Sequence, residues 1–444
     1  MNILRLSVFL LCSVPLTAFA ADTPPDASSA AVQQIMDWLK QPQDKRPVLP
    51  EDAAKAPLSK TAVAGIKEAL WKDHVATVKA TRAAGYTPAE SAASFYAEMQ
   101  KAAEKARAEG KPPQFGEIKT NELETGGKKM KYKAVKFGNK PSGQPLFISM
   151  HGGGGAPARV NESQWINQIR LGQGYAPAAG IYVAPRAPTD NWNLWHESHI
   201  DTLFDRLIQD MIVFEDVDPN KVYIMGYSAG GDGVYQLAPR IADRLAAASM
   251  MAGHPNDASP LGLRNIGFTI HVGGEDGAYN RNKIAGEWGK KLDDLQKDDP
   301  KGYVHFVKVH EGRPHWMNME DKEAIPWMEK FTRDPLPEKV VWRQSSRTHP
   351  RFYWLAVAKE EAKKGQEIVA ERSGQNIKVT AKGIEHVTIL LNDAMLDLDQ
   401  PVTVTFNGTE LPPKKAIRNA GVIRRTLEER GDPASVFCAE IPLP

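Results

Sequence analysis

The sequence predicts an α/β protein, a mostly parallel sheet with helices on both faces. Three observations lead there. Short apolar, β-branched or aromatic runs recur at 145–150, 181–184, 222–225, 247–251, 268–272 and 304–309. Helix-capable segments separate several of them; in 200–214 the apolar residues at 200, 203, 204, 207, 208, 211 and 212 keep one face. A glycine-flanked turn, Gly226-Tyr227-Ser228-Ala229-Gly230, stands between one run and a helix-capable segment at 231–240. Sheets of this kind carry their chemistry at the carboxyl ends of the strands.

The chain has 444 residues, enough for two or three domains. Apolar residues make up 42% and charged residues 25%, an ordinary globular balance with ample core material. The net charge is +2 and no basic stripe is present, which argues against nucleic acid as a partner. The first twenty residues hold an early cation (Arg5), an apolar stretch at 6–16 and Ala18-Phe19-Ala20. Those are the parts of a cleavable secretory signal, too short for a stable membrane span. Cys12 follows Leu10-Leu11 rather than small residues, unlike a lipoprotein site. A periplasmic or secreted protein starting near Ala21 is expected, with no integral membrane segment after cleavage. Cys438 is then the one remaining cysteine, so no internal disulfide can form, and a buried small hydrophobe is its expected role.

Taken in order, 21–30 is a Pro, Ser and Ala rich leader within a helical region assigned to 21–115. Val63, Ile66, Leu70, His74 and Val78 recur at helical spacing, as do Phe95, Met99, Ala102 and Ala106, with prolines at 47, 50, 57 and 88 as punctuation. The parallel sheet belongs to 116–336 and opens with an alternating strand at 131–137. Residues 337–444 read as a β-sandwich of the immunoglobulin-like kind. Its short strands fall at 366–370, 377–380, 387–391 and 402–406, with room for one helix at 416–430 and a hairpin signal at Asn407-Gly408.

A Gly-x-Ser-x-Gly alone is weak, since a chain of this length shows one by chance about once in ten. Its surroundings add to it. His151-Gly152-Gly153-Gly154-Gly155 follows the strand ending at Met150, and bare glycines let backbone N–H groups point into a site. The N–H groups of Gly152, Gly153 and Ala229 are candidates for holding an oxyanion. A phosphate cradle would need Lys-Ser/Thr after the glycines, where Ala156-Pro157 stands. A serine nucleophile on such a turn expects an acid and then a base downstream. Asp276, in the loop after 268–272, is the first candidate acid, with Glu275 and Asp257 as alternatives. Of five later histidines, His305 and His310 lie in or at the end of a strand and His349 and His386 lie in or near the C-terminal region. His315, in Glu311-Gly312-Arg313-Pro314-His315-Trp316, sits in a loop that can reach the sheet edge.

Taken together, His-Gly-Gly-Gly-Gly, Gly-Tyr-Ser-Ala-Gly, Gly-Gly-Glu-Asp and Gly-Arg-Pro-His resemble an α/β-hydrolase over roughly 130–335. The nearest flavour is the secreted esterase group of poly(3-hydroxybutyrate) depolymerases and feruloyl or acetyl-xylan esterases. The resemblance implies a carboxylic ester hydrolase acting through an acyl-enzyme, with Ser228 as nucleophile, His315 as base and Asp276 as orienting acid. It implies no cofactor, and a small-molecule or polymeric ester as substrate. Two other readings stand beside it: a serine peptidase of the prolyl-oligopeptidase kind, and an envelope- or polysaccharide-binding protein with a vestigial hydrolase domain. Trp192, Trp195, Tyr227, His151 and Trp316 are the candidate substrate-lining residues. No metal is expected. His196 and His199 are three apart rather than the four that a helical zinc pair needs. Asp393, Asp397 and Asp399 read as a solvated turn.

Overall fold

The computed structural model describes residues 27–111 and 118–444; the predicted signal segment and the 115/116 boundary lie outside them. The chain begins with helices α1 (Ala27–Leu39), α2 (Glu51–Lys55) and α3 (Lys60–Arg82), then strand β1 (Glu90–Ser91) and helix α4 (Ala92–Ala108). There follow β2 (Asn121–Thr125), β3 (Lys128–Phe137), β4 (Gln144–Met150), α5 (Ala158–Gly174), β5 (Gly180–Pro185), α6 (Ser198–Phe214) and β6 (Val217–Tyr227). The unit closes with α7 (Ala229–Arg240), β7 (Ala247–Met251), β8 (Gly267–Gly273), α8 (Arg281–Asp298), β9 (His305–His310) and α9 (Ala324–Met328).

These strands form one sheet in the order β1-β3-β5-β4-β6-β7-β8-β9, with β2 also paired to β3. Pairing is antiparallel at β2/β3 and β3/β5 and parallel elsewhere. Alternation explains why it is covered on both sides. Leu146, Ile148, Ile181, Val183, Val222 and Ile224 join one core, packed by Leu203, Phe204, Val234 and Trp288 of α6, α7 and α8. Phe147, Tyr182, Ala184, Tyr223 and Met225, one residue out of phase, join a second core with Phe95, Trp165, Ile169 and Met328. Each such Leu, Ile or Phe contributes about 1.5–3 kcal/mol by leaving water. Helices α6, α7 and α8 therefore take one face, and α4, α5 and α9 the other. The chain lays β5 on one side of β4 and β6 on the other, so a crevice opens at their carboxyl ends.

Three details add to the sequence expectation. The region read as helical contains β1, which adds to the sheet by parallel pairing of Glu90 with Val135. The N-terminal helices pack against the C-terminal end of the chain. Val63, Ile66 and Leu70 of α3 belong to the same core as Val422 and Ile423 near the C-terminus, and Leu58 N donates to Arg418 O at 2.9 Å. The third concerns 337–444. One sheet runs β10 (Lys339–Arg343), β13 (Glu367–Ser373), β14 (Asn376–Lys382), β16 (Thr403–Phe406), β17 (Thr409–Glu410). The other runs β11 (Arg351–Phe352), β12 (Leu355–Ala356), β15 (Thr388–Leu391), β18 (Ala439–Pro442), and helix α10 (Ala420–Arg430) precedes its last strand. Trp342 and Phe352 stack between the sheets at 5.8 Å. The parallel β14/β16 pair departs from an all-antiparallel immunoglobulin-like sandwich, while α10 falls within the 416–430 stretch read as room for a helix. Asn407 (φ 48°) and Gly408 (φ 85°) do form the expected two-residue hairpin turn.

Buried charges tie this region to the sheet. Asp432 accepts from Arg333 at 2.8 Å and Arg244 at 3.2 Å, and Arg430 meets Asp243 at 2.6 Å. Removing one member of such a group strands a buried charge, at a cost of about 3–5 kcal/mol. Among the described residues no helix is long and apolar enough to cross a membrane.

Candidate active site

The sharpest backbone feature lies where β6 hands over to α7. Ser228 has φ 57° and ψ −120°, a conformation that costs a non-glycine residue about 1–3 kcal/mol. The turn is held by close packing around it. A Cβ on Gly226 would meet Gly230 O at 2.3 Å, and one on Gly230 would meet Met150 O at 2.2 Å. Ser228 N donates to Met251 O at 2.9 Å. The hydroxyl is thereby lifted into the crevice.

Loops after β8 and β9 converge on it. His315 Nε2 lies 3.0 Å from Ser228 Oγ, and His315 Nδ1 lies 2.7 Å from Asp276 Oδ2. Asp276 is buried while the His315 side chain is 42% exposed, so the acid is shielded and the imidazole reaches solvent and cavity. Arg281 Nη1, 3.5 Å from Asp276 Oδ1, supplies compensating charge for the buried carboxylate. Glu275 and Asp257 are exposed, and Asp257 is engaged by Lys364 at 2.7 Å and Gln236 at 3.2 Å. The remaining candidate histidines lie elsewhere: His305 on Asp293, His349 near Asp201, His386 on Glu361, and His310 against His271.

The glycine loop after β4 borders the serine. A Cβ on Gly152 would touch Ser228 Cβ at 3.2 Å. Gly153 and Gly154 take φ of 112° and 123°, which side chains disfavour, and a Cβ on Gly153 would lie 2.1 Å from Asn161 Oδ1. Asn161, buried at the start of α5, clamps this loop. It accepts from Gly154 N and donates to Gly154 O, both at 3.0 Å, and donates to Asp190 at 2.9 Å. The sequence reading did not single it out; its one signal is an amide in the first turn of the helix that follows the glycines. Across the serine, Ala229 N–H belongs to the first turn of α7, where the helix dipole favours negative charge.

Three of the five candidate lining residues have other jobs. His151 is wholly buried: Nδ1 donates to Gly152 O at 2.5 Å and Nε2 accepts from Ala187 N at 3.1 Å. Burial holds its imidazole down at about 4, so it is neutral at pH 7. Trp195 is also wholly buried and donates Nε1–H to His151 O at 2.9 Å. Both fix the glycine loop from behind and neither faces the cavity. The Tyr227 ring reaches the cavity, but its hydroxyl is committed. It donates to His315 O at 2.7 Å and accepts from Met317 N at 2.9 Å, bracing the histidine loop. Trp316 (43% exposed) lines the cavity, and Trp192 (54%) lies against Gly154 and Gly155 of the glycine loop. Trp192 meets the exposed Tyr279 at 5.8 Å, and Arg281 lies 4.8 Å from the Tyr279 ring centre.

Ser228 and His315 open into a cavity of about 760 Å³, large enough for a drug-sized ligand. Helix α5 supplies much of its wall through Val160, Gln164, Asn167 and Leu171, one face at helical spacing. Behind the serine, Asp232 in the first turn of α7 accepts from His254 N at 2.6 Å, and burial pushes its carboxyl up to about 6. Neither sequence-level metal idea is assembled. His196 is held neutral by burial and His199 pairs with Glu197 at 3.1 Å. Asp393 and Asp399 are both taken by Arg418 at 2.6 Å. Cys438 is buried, which pushes its thiol up to about 12 and leaves it unreactive.

Sheet order, strand directions and the strained serine between β6 and α7 define an α/β-hydrolase fold. No family model matches the chain. Among curated proteins, "Putative esterase NocK" of Nocardia uniformis subsp. tsuyamanensis is 29% identical over 129 residues, 28% of this chain and 38% of that protein. The chain thus spans about two fifths of the curated relative it matches. Similar solved structures include a thermostable esterase, 19% identical, covering 48% of this chain and 63% of the other with a TM-score of 0.38. A ferulic acid esterase is 16% identical, covering 48% and 98% with a TM-score of 0.35.

Proposed function

We propose that the protein is a serine hydrolase that cleaves carboxylic esters through an acyl-enzyme. One observation carries the reading: Oγ of a strained serine lies 3.0 Å from an imidazole whose other nitrogen lies 2.7 Å from a buried carboxylate. In this reading His315 Nε2 takes the Ser228 proton as Oγ attacks the ester carbonyl, while Asp276 orients the ring and stabilises the imidazolium. The carbonyl oxygen becomes an oxyanion beside Gly152, Gly153 and Ala229, whose N–H groups receive it. Losing one such donor costs on the order of 10²–10³ in kcat. His315 then protonates the leaving alcohol, and water, deprotonated by the same ring, releases the acid. The similarity to proteins named as esterases supports ester over amide substrates. Trp192 and Trp316 would border the substrate.

Ser228→Ala tests the reading. Hydrolysis of p-nitrophenyl esters and labelling by a fluorophosphonate should vanish while the protein remains folded. Labelling that persists would remove Ser228 from the mechanism. Aminoacyl p-nitroanilides run in parallel separate an esterase from a peptidase. Export is part of the proposal on the strength of residues 1–20, and cell fractionation that leaves the uncleaved chain in the cytoplasm would refute it.

A further inference from the structure

Beside α9, strands β8 and β9 carry a second cluster of chemically capable groups. His271, on β8, is wholly buried, and its Nε2 has no hydrogen-bond partner. An imidazole in a sheet interior carries a desolvation cost that needs compensation. Its Nδ1 lies 3.2 Å from His310 Nε2, because His271 pairs with Lys308 and His310 lies two residues on, on the same face. Glu323, just before α9, brings Oε1 to 3.9 Å from that Nδ1, and the three ligand atoms all lie within 4.8 Å of one another. Glu323 Oε1 is itself buried, its one close neighbour of opposite charge among the described residues being the Lys308 ammonium at 2.6 Å.

We propose that His271 Nδ1, His310 Nε2 and Glu323 Oε1 bind a divalent transition metal, zinc by ligand type, with a fourth position left for water. Zinc holds nitrogen and oxygen ligands at about 2.0–2.2 Å, which at tetrahedral angles spaces them about 3.4 Å apart. The His–His separation already matches, and the glutamate needs only a small swing. The outer shell matches too. A metal-bound histidine usually gives its other N–H to a carboxylate. His310 Nδ1 lies 3.3 Å from Glu320 Oε2, and Arg313 Nε fixes Glu320 at 2.8 Å. The competing occupant is the Lys308 ammonium, 2.6 Å from Glu323 Oε1 but without hydrogen-bond geometry. Lys308 is 43% exposed on a flexible stem and can turn to solvent as the metal enters. Residues 311–319, which carry His315, lie between ligand His310 and Glu320, so the metal would fasten both ends of that loop. Its role is positional, apart from the reaction at Ser228.

The test is zinc binding by the full chain after chelator treatment, read by elemental analysis after dialysis, by thermal unfolding and by the visible spectrum with cobalt. One zinc per chain is expected, with Tm raised about 3 °C at a hundredfold excess over Kd. Cobalt should give the intense visible bands of a four-coordinate site. Glu323→Gln, isosteric and at a partly exposed position, should abolish all three signals, as should His310→Gln. Substoichiometric zinc in the wild-type chain would overturn the proposal and leave a plain imidazole–imidazole hydrogen bond. Wild-type binding retained by Glu323→Gln would overturn it equally.

Discussion

Asn161→Ala probes whether the glycine loop is held in place or merely permitted. Asn161 satisfies both the N–H and the C=O of buried Gly154, each at 3.0 Å. Truncation strands the Gly154 N–H, at about 1–3 kcal/mol, while Gly154 O keeps its bond from Ala156 N at 2.6 Å. The loop can recover that energy only by moving, and Gly153 and Gly154, at φ of 112° and 123°, have no side chains to resist a move. One displaced oxyanion donor corresponds to about 2.7–4 kcal/mol of transition-state stabilisation. The clamp is therefore comparable in size to one donor, and its loss should lower kcat for p-nitrophenyl acetate by up to on the order of 10²-fold. KM should move little, and fluorophosphonate labelling of Ser228 should slow in parallel. Asn161→Asp sharpens the test. A carboxylate still accepts from Gly154 N, yet it cannot donate to Gly154 O and it opposes Asp190, 2.9 Å away. It should be no more active than the alanine variant. A kcat for Asn161→Ala within about threefold of wild type, with an unchanged Tm, would refute the clamp.

Other expectations follow from the same geometry. Tyr227→Phe removes the bonds to His315 O and Met317 N and should lower kcat about tenfold, since a buried pair of this kind is worth about 1–3 kcal/mol; steady-state kinetics with an unchanged kcat would make the brace idle. His151 has its folded pKa depressed to about 4, so its contribution is present above its unfolded value and is lost as pH falls. Urea titrations should show the stability gap between wild type and His151→Gln narrowing by up to about 3 kcal/mol from pH 7 to 4. Asp232 has the opposite sign. Its folded pKa is raised to about 6, so stability is lost as pH rises through that range. Asp232→Asn should gain up to about 3 kcal/mol on wild type between pH 4 and 7, and a constant difference would show that Asp232 is not desolvated.

How much of this was legible depends on whether a property is local. Strand and helix identities are carried by side-chain alternation, and β4 to β9 lie where the apolar runs predict them. The strained serine is legible because its flanking glycines are required by contacts of 2.2 and 2.3 Å that no side chain would survive. Chain order places Asp276 and His315 in loops after β8 and β9, and parallel strands bring such loops to one edge of the sheet. Which aromatic stays exposed is another matter. Trp192 and Trp195 are three residues apart in one loop, yet one is 54% exposed and the other wholly buried. Only the packing of that loop on His151 separates them.

By itself, then, the sequence determined the layered sheet, the elbow at Ser228 and the loops that meet it, because periodicity, glycine and strand order act along the chain. The tertiary structure alone decided the rest. It turned His151 and Trp195 inward as props and made Asn161 the clamp of the glycine loop. It set β14 parallel to β16, and it gathered His271, His310 and Glu323 into one cluster. Each of those depends on which atoms meet across space. Strand register and helix orientation set that, and no local pattern encodes either.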